Sequence, residues 1–456
     1  MGIYGALSSA VSGLRAQAHA LENISGNIAN SQTTGYKRME TSFVDLIADA
    51  PVKNQVPGAV IAQSRSTNTL QGDIQTSANE TYIALNASGF FVVEPKVGQS
   101  DGNSEFAGTN FFSRRGDFEI DKDGRLVNGA GYYLKGLPID PATGNISGSV
   151  PEIIQLSNSF LAANQTKVIN YQANLPQMPK TGNYNAATAN SELLDPANFV
   201  DPDAITVGES DKFIASSVAG GAITVYASNG APVNVQMRWA KVESPAVTPP
   251  PTEDKWALYY MSDSRKDVST DVAWTKLPTE YTFKADGSIN GVVEEVDIPG
   301  LTVNGVQVGD VTLRHGKNGI TQFADVNGTV SVSSLNQNGY GAGEFLSVAI
   351  NDSGRVVASY SNGERIDVAQ VVVAQFNGEN ALKRLDGGIF VSTSESGEPI
   401  FDLGGSGIIG GALEASNTDI SDEFTKLIIT QQAYSASTRI VSTADEMLQE
   451  ALNMIR

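Results

Sequence analysis

The segment Asp121-Lys122-Asp123-Gly124 sets two carboxylates two residues apart ahead of a glycine, which is how a calcium-binding loop opens. Such a loop needs a bidentate acid at its twelfth position; that position here is Tyr132, so the segment reads as a hairpin turn. Gly405-Ser406-Gly407-Ile408-Ile409-Gly410 matches a dinucleotide fingerprint, with Asp422 downstream. That chemistry requires a hydrophobic strand before the glycines and a helix opening at the last one, so that the pyrophosphate meets a helix N-terminus. Phe401-Asp402-Leu403-Gly404 precedes the glycines and the next helical pattern starts near Ser421, so a flexible glycine-rich joint is the reading. Glu294, Glu295 and Asp297 offer an acid/base pair, but Glu295 and Asp297 share one strand face opposite Val296 and Ile298, the pattern of a solvated strand. His19 and His315 lie in unrelated segments, without a nucleophile or metal partner in sequence. Trp239, Trp256 and Trp274 could stack a sugar, yet a β-sandwich core also needs aromatic residues, and the core is the preferred reading. No catalytic residue, metal ligand or cofactor site is assigned, and no cofactor is expected.

One polar constellation is different. Asn23, Asn27 and Asn30 step by four and three along one helical stripe. Asparagine is a poor helix former, so such a ladder suggests that each amide finds a partner on a neighbouring helix, as buried amides do when they fix register. A frayed, exposed helix end would carry the same pattern.

The elements that position these residues fall into two kinds. At the front, Leu7, Val11, Leu14, Ala18, Leu21 and Ile28 advance in steps of four and three, with Ser25 in the gap. At the back, Leu427, Tyr434, Val441, Leu448 and Ile455 repeat every seven residues, with Phe424, Gln431, Thr438, Asp445 and Leu452 as companions. Both are narrow seams of coiled-coil type. Between the ends the period is two. Phe90–Glu94 and Phe118–Asp121 read as strands, as do Leu346–Ile350, Arg355–Val357 and Val368–Phe376, with turns at Lys122-Asp123-Gly124 and Asn351-Asp352-Ser353-Gly354. The stretch 170–335 holds all three tryptophans and a proline-rich loop, Pro245–Pro251. The expected fold is mainly β with α-helical termini, in discontinuous nested domains. Residues 1–30 and 415–456 make a terminal helical domain, 31–75 an extended connection, 76–169 with 336–414 an inner β domain, and 170–335 an inserted outer β domain.

Composition bounds what such a chain can do. At 456 residues it is long enough for two or three domains, and 41% apolar against 18% charged residues can build cores. A net charge of −20 is ill-suited to phosphate backbones, so no nucleic-acid partner is expected. Cysteine is absent, which removes disulfides, thiolate zinc sites and cysteine nucleophiles together. No Lys or Arg precedes Arg15, so the start does not read as a cleaved secretory signal, and no run is long enough for stable membrane insertion.

Four separated blocks carry a resemblance. Asn23-Ile24-Ser25-Gly26-Asn27-Ile28-Ala29-Asn30, continued by Thr33, Gly35, Tyr36 and Lys37, resembles the N-terminal signature of the flagellar rod and hook axial protein family. Gly89–Val93, with Ser113–Phe118 and Asp123–Val127, is similar to that family's β core, and Leu413–Ser421 with Gln431–Tyr434 and Ala444–Leu448 is similar to its C-terminal block. The chain departs from the pattern at Gln432 and Ser437, where Arg and Asn are commoner, and in Tyr82–Asn86, which lacks the usual acidic residue. The resemblance implies a non-enzymatic structural subunit of the bacterial flagellar hook, self-polymerising into a curved tube that transmits torque. Its terminal helices would form a coiled-coil-like inner tube, with the β-rich domains outside. It implies a homopolymer that meets rod, hook cap and hook–filament junction proteins. It also implies passage through the flagellar type III export apparatus to an extracellular position, without a cleaved signal. The large insertion favours hook over distal rod; a secreted glycan-binding or hydrolytic protein using the central domain is the alternative of another class. On this reading Leu7, Val11, Leu14, Leu21, Asn23, Asn27, Ile28, Asn30, Leu427, Tyr434, Val441, Leu448 and Ile455 serve self-assembly.

Overall fold

A computed structural model of the chain describes residues 3–46, 59–100, 103–141, 143–157, 159–245, 253–265 and 268–454. Among them the α-helices are α1 (Ile3–Ala29), α2 (Ser210–Ala215) and α3 (Ile420–Met454), and nearly all other regular structure is β. The chain forms two compact units. Unit 1 comprises Met1–Asn158, Leu346–Ser359 and Arg365–Arg456, and unit 2 comprises Ser159–Phe345 and Tyr360–Glu364. The proline-rich loop, apart from Pro245, lies outside the described residues, as does Ile455.

In unit 1 a 14-stranded sheet is organised around Phe90–Ser100, which pairs with Tyr132–Pro138 and Phe111–Ser113. Phe90, Phe91, Val92 and Val93 are all fully buried, so the strand is covered on both faces, which is why its apolar residues run on without alternation. Phe90 and Val92 join Phe112, Leu137, Val372, Phe376 and Phe390 in one cluster, while Phe91 meets Phe118 edge-on at 6.0 Å. The apolar run expected as a single strand, Val368–Phe376, is broken. Arg365–Val371 pairs with Tyr132–Pro138, and Val373–Gln375 pairs with Phe90–Ser100, so the chain changes neighbour at Val372. The glycine-rich segment is no flexible joint either. Ile408–Gly410 pairs with Ile83–Leu85 and Ala412–Glu414 with Ile74–Thr76, giving it a ladder of its own before α3. At the other end, Met39–Asp45 and Val60–Ser66 form an antiparallel ribbon beside α1.

Unit 2 is built on two five-stranded sheets. One contains Glu295–Val303, Val306–Arg314, Val168–Asn174, Ile320–Thr321 and Ser331–Gln337. The other runs Ala204–Thr206, Val272–Phe283, Asp254–Met261, Pro232–Glu243, Val218–Tyr226. Side chains of both sheets share one core, including Ile169, Tyr171, Trp239, Trp256, Tyr281, Val296 and Leu313. The second sheet is covered on its other face too, where Ala240, Ala257, Tyr259 and Trp274 pack with Leu194, Phe199 and Phe213. Alternation along Trp256-Ala257-Leu258-Tyr259 sends successive residues into the two cores. Trp239, Trp256 and Trp274 are at most 2% exposed, so they are core residues and present no platform to a sugar. Val303 and Val306 pair across a two-residue turn in which Asn304 (φ 53°) and Gly305 (φ 80°) are both left-handed, the twist that closes a tight hairpin.

Candidate functional site

The chemistry-bearing residues of unit 1 converge where the two long helices meet the β sheet. Gly13 of α1 lies against Ser437 of α3, and Asn27 of α1 is hydrogen-bonded to Glu423 of α3 at 3.0 Å. Sequence falls by 14 on one helix as it rises by 14 on the other, so the helices are antiparallel (27 − 13 and 437 − 423). Helix α1 buries Ala10, Ala16, Ala20, Ile24 and Asn27, and α3 buries Glu423, Thr430 and Ala444, with Ser437 half-buried. Small residues let the backbones approach closely while removing little apolar surface from water.

The apolar seams read from the sequence lie beside this contact. Leu7, Leu14, Leu21 and Ile28 are half-buried and Val11 is 36% exposed; on α3, Leu427, Val441 and Leu448 are half-buried and Tyr434 is 41% exposed. Farther round α3 the exposed residues include Phe424, Ile428, Ile429, Ile440 and Met447. Between α1 and the ribbon runs an open groove of about 640 Å³, lined by Leu7, Val11, Arg15, His19, Val60 and Ile61 among others.

The asparagine ladder is wired within the chain. Asn23 donates to Thr41 Oγ1 at 2.8 Å and to Ser64 Oγ at 3.1 Å, tying α1 to both ribbon strands. Asn27 is the hub: its Nδ2 donates to the Met39 carbonyl (2.8 Å) and Glu423 Oε2, while its Oδ1 accepts from Met39 N (2.9 Å) and Tyr36 Oη (3.3 Å). Asn30 closes the helix end by donating to Gly26 O, and Thr33 Oγ1 donates to Asn30 Oδ1. Two of the three amides thus hold a β ribbon as well as, or instead of, a helix. Periodicity on α1 alone could not name those partners.

Next to this hub is a buried charge cluster. Lys37, 1% exposed, donates from Nζ to Glu414 Oε1 and to the Leu70 carbonyl, both at 2.6 Å. Glu414, fully buried, also accepts from Gly72 N (2.9 Å) and from Arg114 Nη1 (3.2 Å). Burial pushes the Lys37 ammonium below its ordinary pKa, and the Glu414 charge opposes that shift. Glu379 stands nearby: burial raises its carboxyl above the ordinary range, while Arg114 and Lys37 pull it back. Gly35 (φ 65°) passes so close to Arg114 that a Cβ would fall 2.7 Å from that residue's backbone, so only glycine fits. Arg384 covers the Tyr36 ring at 4.1 Å and donates to the Lys37 carbonyl. Asn417 completes the joint, accepting from Arg38 N at 2.7 Å and donating to Thr67 and Leu70.

Gly35, Tyr36 and Lys37 are therefore one half of a lock whose other half is Arg114, Glu414 and Asn417, while Thr33 bonds back to Asn30 within its own half. The second set lies inside segments singled out in the sequence, but nothing local marks those residues as partners. The remaining candidates are engaged elsewhere. Asp121 Oδ1 accepts from the backbone of Asp123 and Arg125 within a turn, and Asp123 pairs with Arg125. Glu295 and Asp297 are exposed on one strand face, bonded to Arg314 and Thr312.

Comparison with known proteins agrees over the whole length. Residues 7–37 match the family model described as flagella basal body rod protein, 183–340 the flagellar basal body protein FlaE D2 domain, and 409–454 the flagellar basal body rod FlgEFG protein C-terminal. Flagellar hook protein FlgE of Salmonella typhimurium is 31% identical, over 98% of this chain and 99% of the relative. The Escherichia coli protein of that name is 30% identical over 98% and 100%. The crystal structure of Helicobacter pylori flagellar hook protein FlgE2 superposes with a TM-score of 0.50 at 14% identity, covering 76% of this chain and 99% of that one, and so has a similar fold.

Proposed function

From the premise that the chain belongs to the flagellar hook protein family, as a structural subunit of the hook, we propose that copies polymerise through the apolar faces that one chain leaves uncovered. The observation that carries this is the division of labour on the helices. Alanine, glycine and serine make the contact within the chain, while Val11, Phe424, Ile428, Tyr434, Ile440 and Met447 remain exposed. A helix pair with an apolar outside is completed by neighbours. Leu7, Leu14, Leu21, Ile28, Leu427, Val441 and Leu448 then lie at the margins between copies, and the groove beside the ribbon receives apolar side chains of an adjacent subunit; Ile455 is assigned to self-assembly on its heptad spacing alone. Asn23, Asn27 and Asn30, with the Lys37–Glu414 lock, act one step back: they fix how the helix pair is carried by the sheet of unit 1.

On this reading the terminal helices, 1–30 and 415–456, line the inner tube. Residues 76–169 with 336–414 form the layer outside them, and 170–335 form an outermost domain; the D2 match over 183–340 supports the last assignment. The role is structural and needs neither catalysis nor a cofactor. Contacts with rod, hook cap and hook–filament junction proteins, and export without a cleaved signal to an extracellular position, belong to the same proposal. The absence of cysteine supports it, because such a chain can be held unfolded without cross-linking. Electron microscopy of purified protein tests it. The chain should form curved tubes, and Leu448→Asp, which places a charge in the seam, should give folded monomer that forms none. Normal tubes from that variant would show that the seam is not an interface.

A further inference from the structure

His315, 1% exposed, stands between the two sheets of unit 2. Its Nδ1 is 2.8 Å from the Tyr171 carbonyl, which can only accept, so Nδ1 carries the proton. Its Nε2, 2.8 Å from Tyr281 Oη, is then the bare nitrogen, and Tyr281 donates to it. Tyr171 belongs to the strand Val168–Asn174 of one sheet, and Tyr281 to Val272–Phe283 of the other. The wiring continues: Trp239 Nε1 donates to Tyr171 Oη at 2.8 Å, and Tyr171 Oη donates to the Gly220 carbonyl at 2.7 Å. Trp239 and Tyr281 also meet edge-on at 4.8 Å.

We propose that His315 is an acid-sensitive tie between the two sheets, holding them while its Nε2 is bare and releasing them when that nitrogen is protonated. An Nε2–H would point at an oxygen that is already donating. Tyr281 would have to turn its own proton elsewhere, and among the described residues its hydroxyl has no other hydrogen-bond partner. The new charge would also lack a counterion. Facing the ring are Tyr171 from one sheet and Tyr281 from the other, and Gln172 Nε2 donates to the His315 carbonyl. Glu294 meets His315 through its backbone carbonyl and is itself exposed; the exposed Glu295 pairs with Arg314 at 2.8 Å. Among the described residues no carboxylate bonds to the imidazole. Burial accordingly pushes the His315 pKa below its ordinary value, against a smaller opposite effect of the Tyr171 carbonyl.

The sign follows from linkage. The native state refuses a proton that the unfolded chain accepts near pH 6.5, so stability present above that pH is lost as pH falls below it. The loss approaches tenfold in the folding constant per pH unit only once the unfolded imidazole is fully protonated, about a unit below pH 6.5. Ordinary carboxylates titrate lower, which leaves the interval from about pH 6.5 to 5 to histidine.

Two features make the test clean. The chain has only two histidines, and all three tryptophans are buried in the cores of unit 2, so their emission reports that unit. In full-length His19→Gln monomer, urea unfolding followed by tryptophan emission should show the folding constant falling about 5- to 8-fold between pH 7 and 5.5. With His315→Gln added, the slope in that interval should flatten. In the single variant, imidazole nitrogen NMR should show the neutral Nδ1–H tautomer until the tryptophan signal changes. Equal slopes in the two variants would overturn the proposal. If the double variant does not fold at pH 7, the imidazole spectrum decides alone: His315 charged at pH 5.5 with native tryptophan emission refutes the tie.

Discussion

Replacing Glu414 by Gln keeps the side-chain shape and removes a carboxylate that, alone among the described residues, is ion-paired with both Lys37 and Arg114. The carboxylate is fully buried and the two cations are 1% and 3% exposed, so solvent cannot take its place. The amide also turns a nitrogen toward groups that are themselves donors. Breaking a buried pair from one side costs about 3–5 kcal/mol, because the partner charge stays behind. For a unit of this size each kcal/mol moves the melting midpoint by about 2–4 °C, so the unit 1 transition should drop by roughly 10 °C. Calorimetry follows both transitions, and tryptophan emission identifies that of unit 2, which should not move. Adding Lys37→Met removes one of the stranded charges and should restore part of the loss, a coupling that independent sites would not show. A unit 1 midpoint within about 2 °C of the parent would refute the assignment of the lock. So would strictly additive losses in the double variant.

Two further outcomes follow from the packing described. Limited proteolysis of monomer should remove α1 and α3 and stop at the joint near Tyr36 and Asn417, because the helix contact is made of small residues. In assembled tubes the same helices should resist, and equal resistance in monomer would mean that the pair is stable without neighbours. Deleting residues 160–344 and joining the flanks with a short linker should leave unit 1 folded. The longer of the two passages through unit 2 begins and ends side by side, Leu161 N to Gly343 O at 2.8 Å and the reverse at 3.1 Å, and only the short Tyr360–Glu364 piece of that unit remains. Loss of the unit 1 transition on that deletion would show that the insertion is needed for folding.

A mainly β chain with helical ends was legible from periodicity, since steps of three and four at the ends and alternation between them are properties of the local backbone. The turn at Lys122-Asp123-Gly124, with strands Phe118–Ile120 and Leu126–Asn128 on either side, was legible for the same reason. The contact between the helices was not. Apolar periodicity picked out leucines and valines, whereas the helices touch at Gly13 and Ser437 and at Asn27 and Glu423, and the most buried apolar residues on them include Ala10, Ala16, Ala20 and Ala444. Val368–Phe376 read as one strand because hydrophobicity says nothing about where a strand changes neighbour. The lock was invisible for a further reason: Lys37 meets Glu414 across 377 residues of sequence, and no periodicity connects them. Lys37 could be singled out only through the motif around it.

The antiparallel register of the helix pair has a practical corollary for anyone labelling this molecule. With Gly13 abreast of Ser437, Ile3 falls abreast of Met447, and α3 continues for a further seven residues, about 10 Å, to Met454. A fluorophore or affinity peptide added beyond Ile3 or beyond Met454 therefore starts from the same end of the helix pair, at points about 10 Å apart. Moving a tag from one end to the other gains nothing. The exposed hairpin tip at Asn304-Gly305 in unit 2 is the site to use instead, since its ladder is already closed by Val303 and Val306.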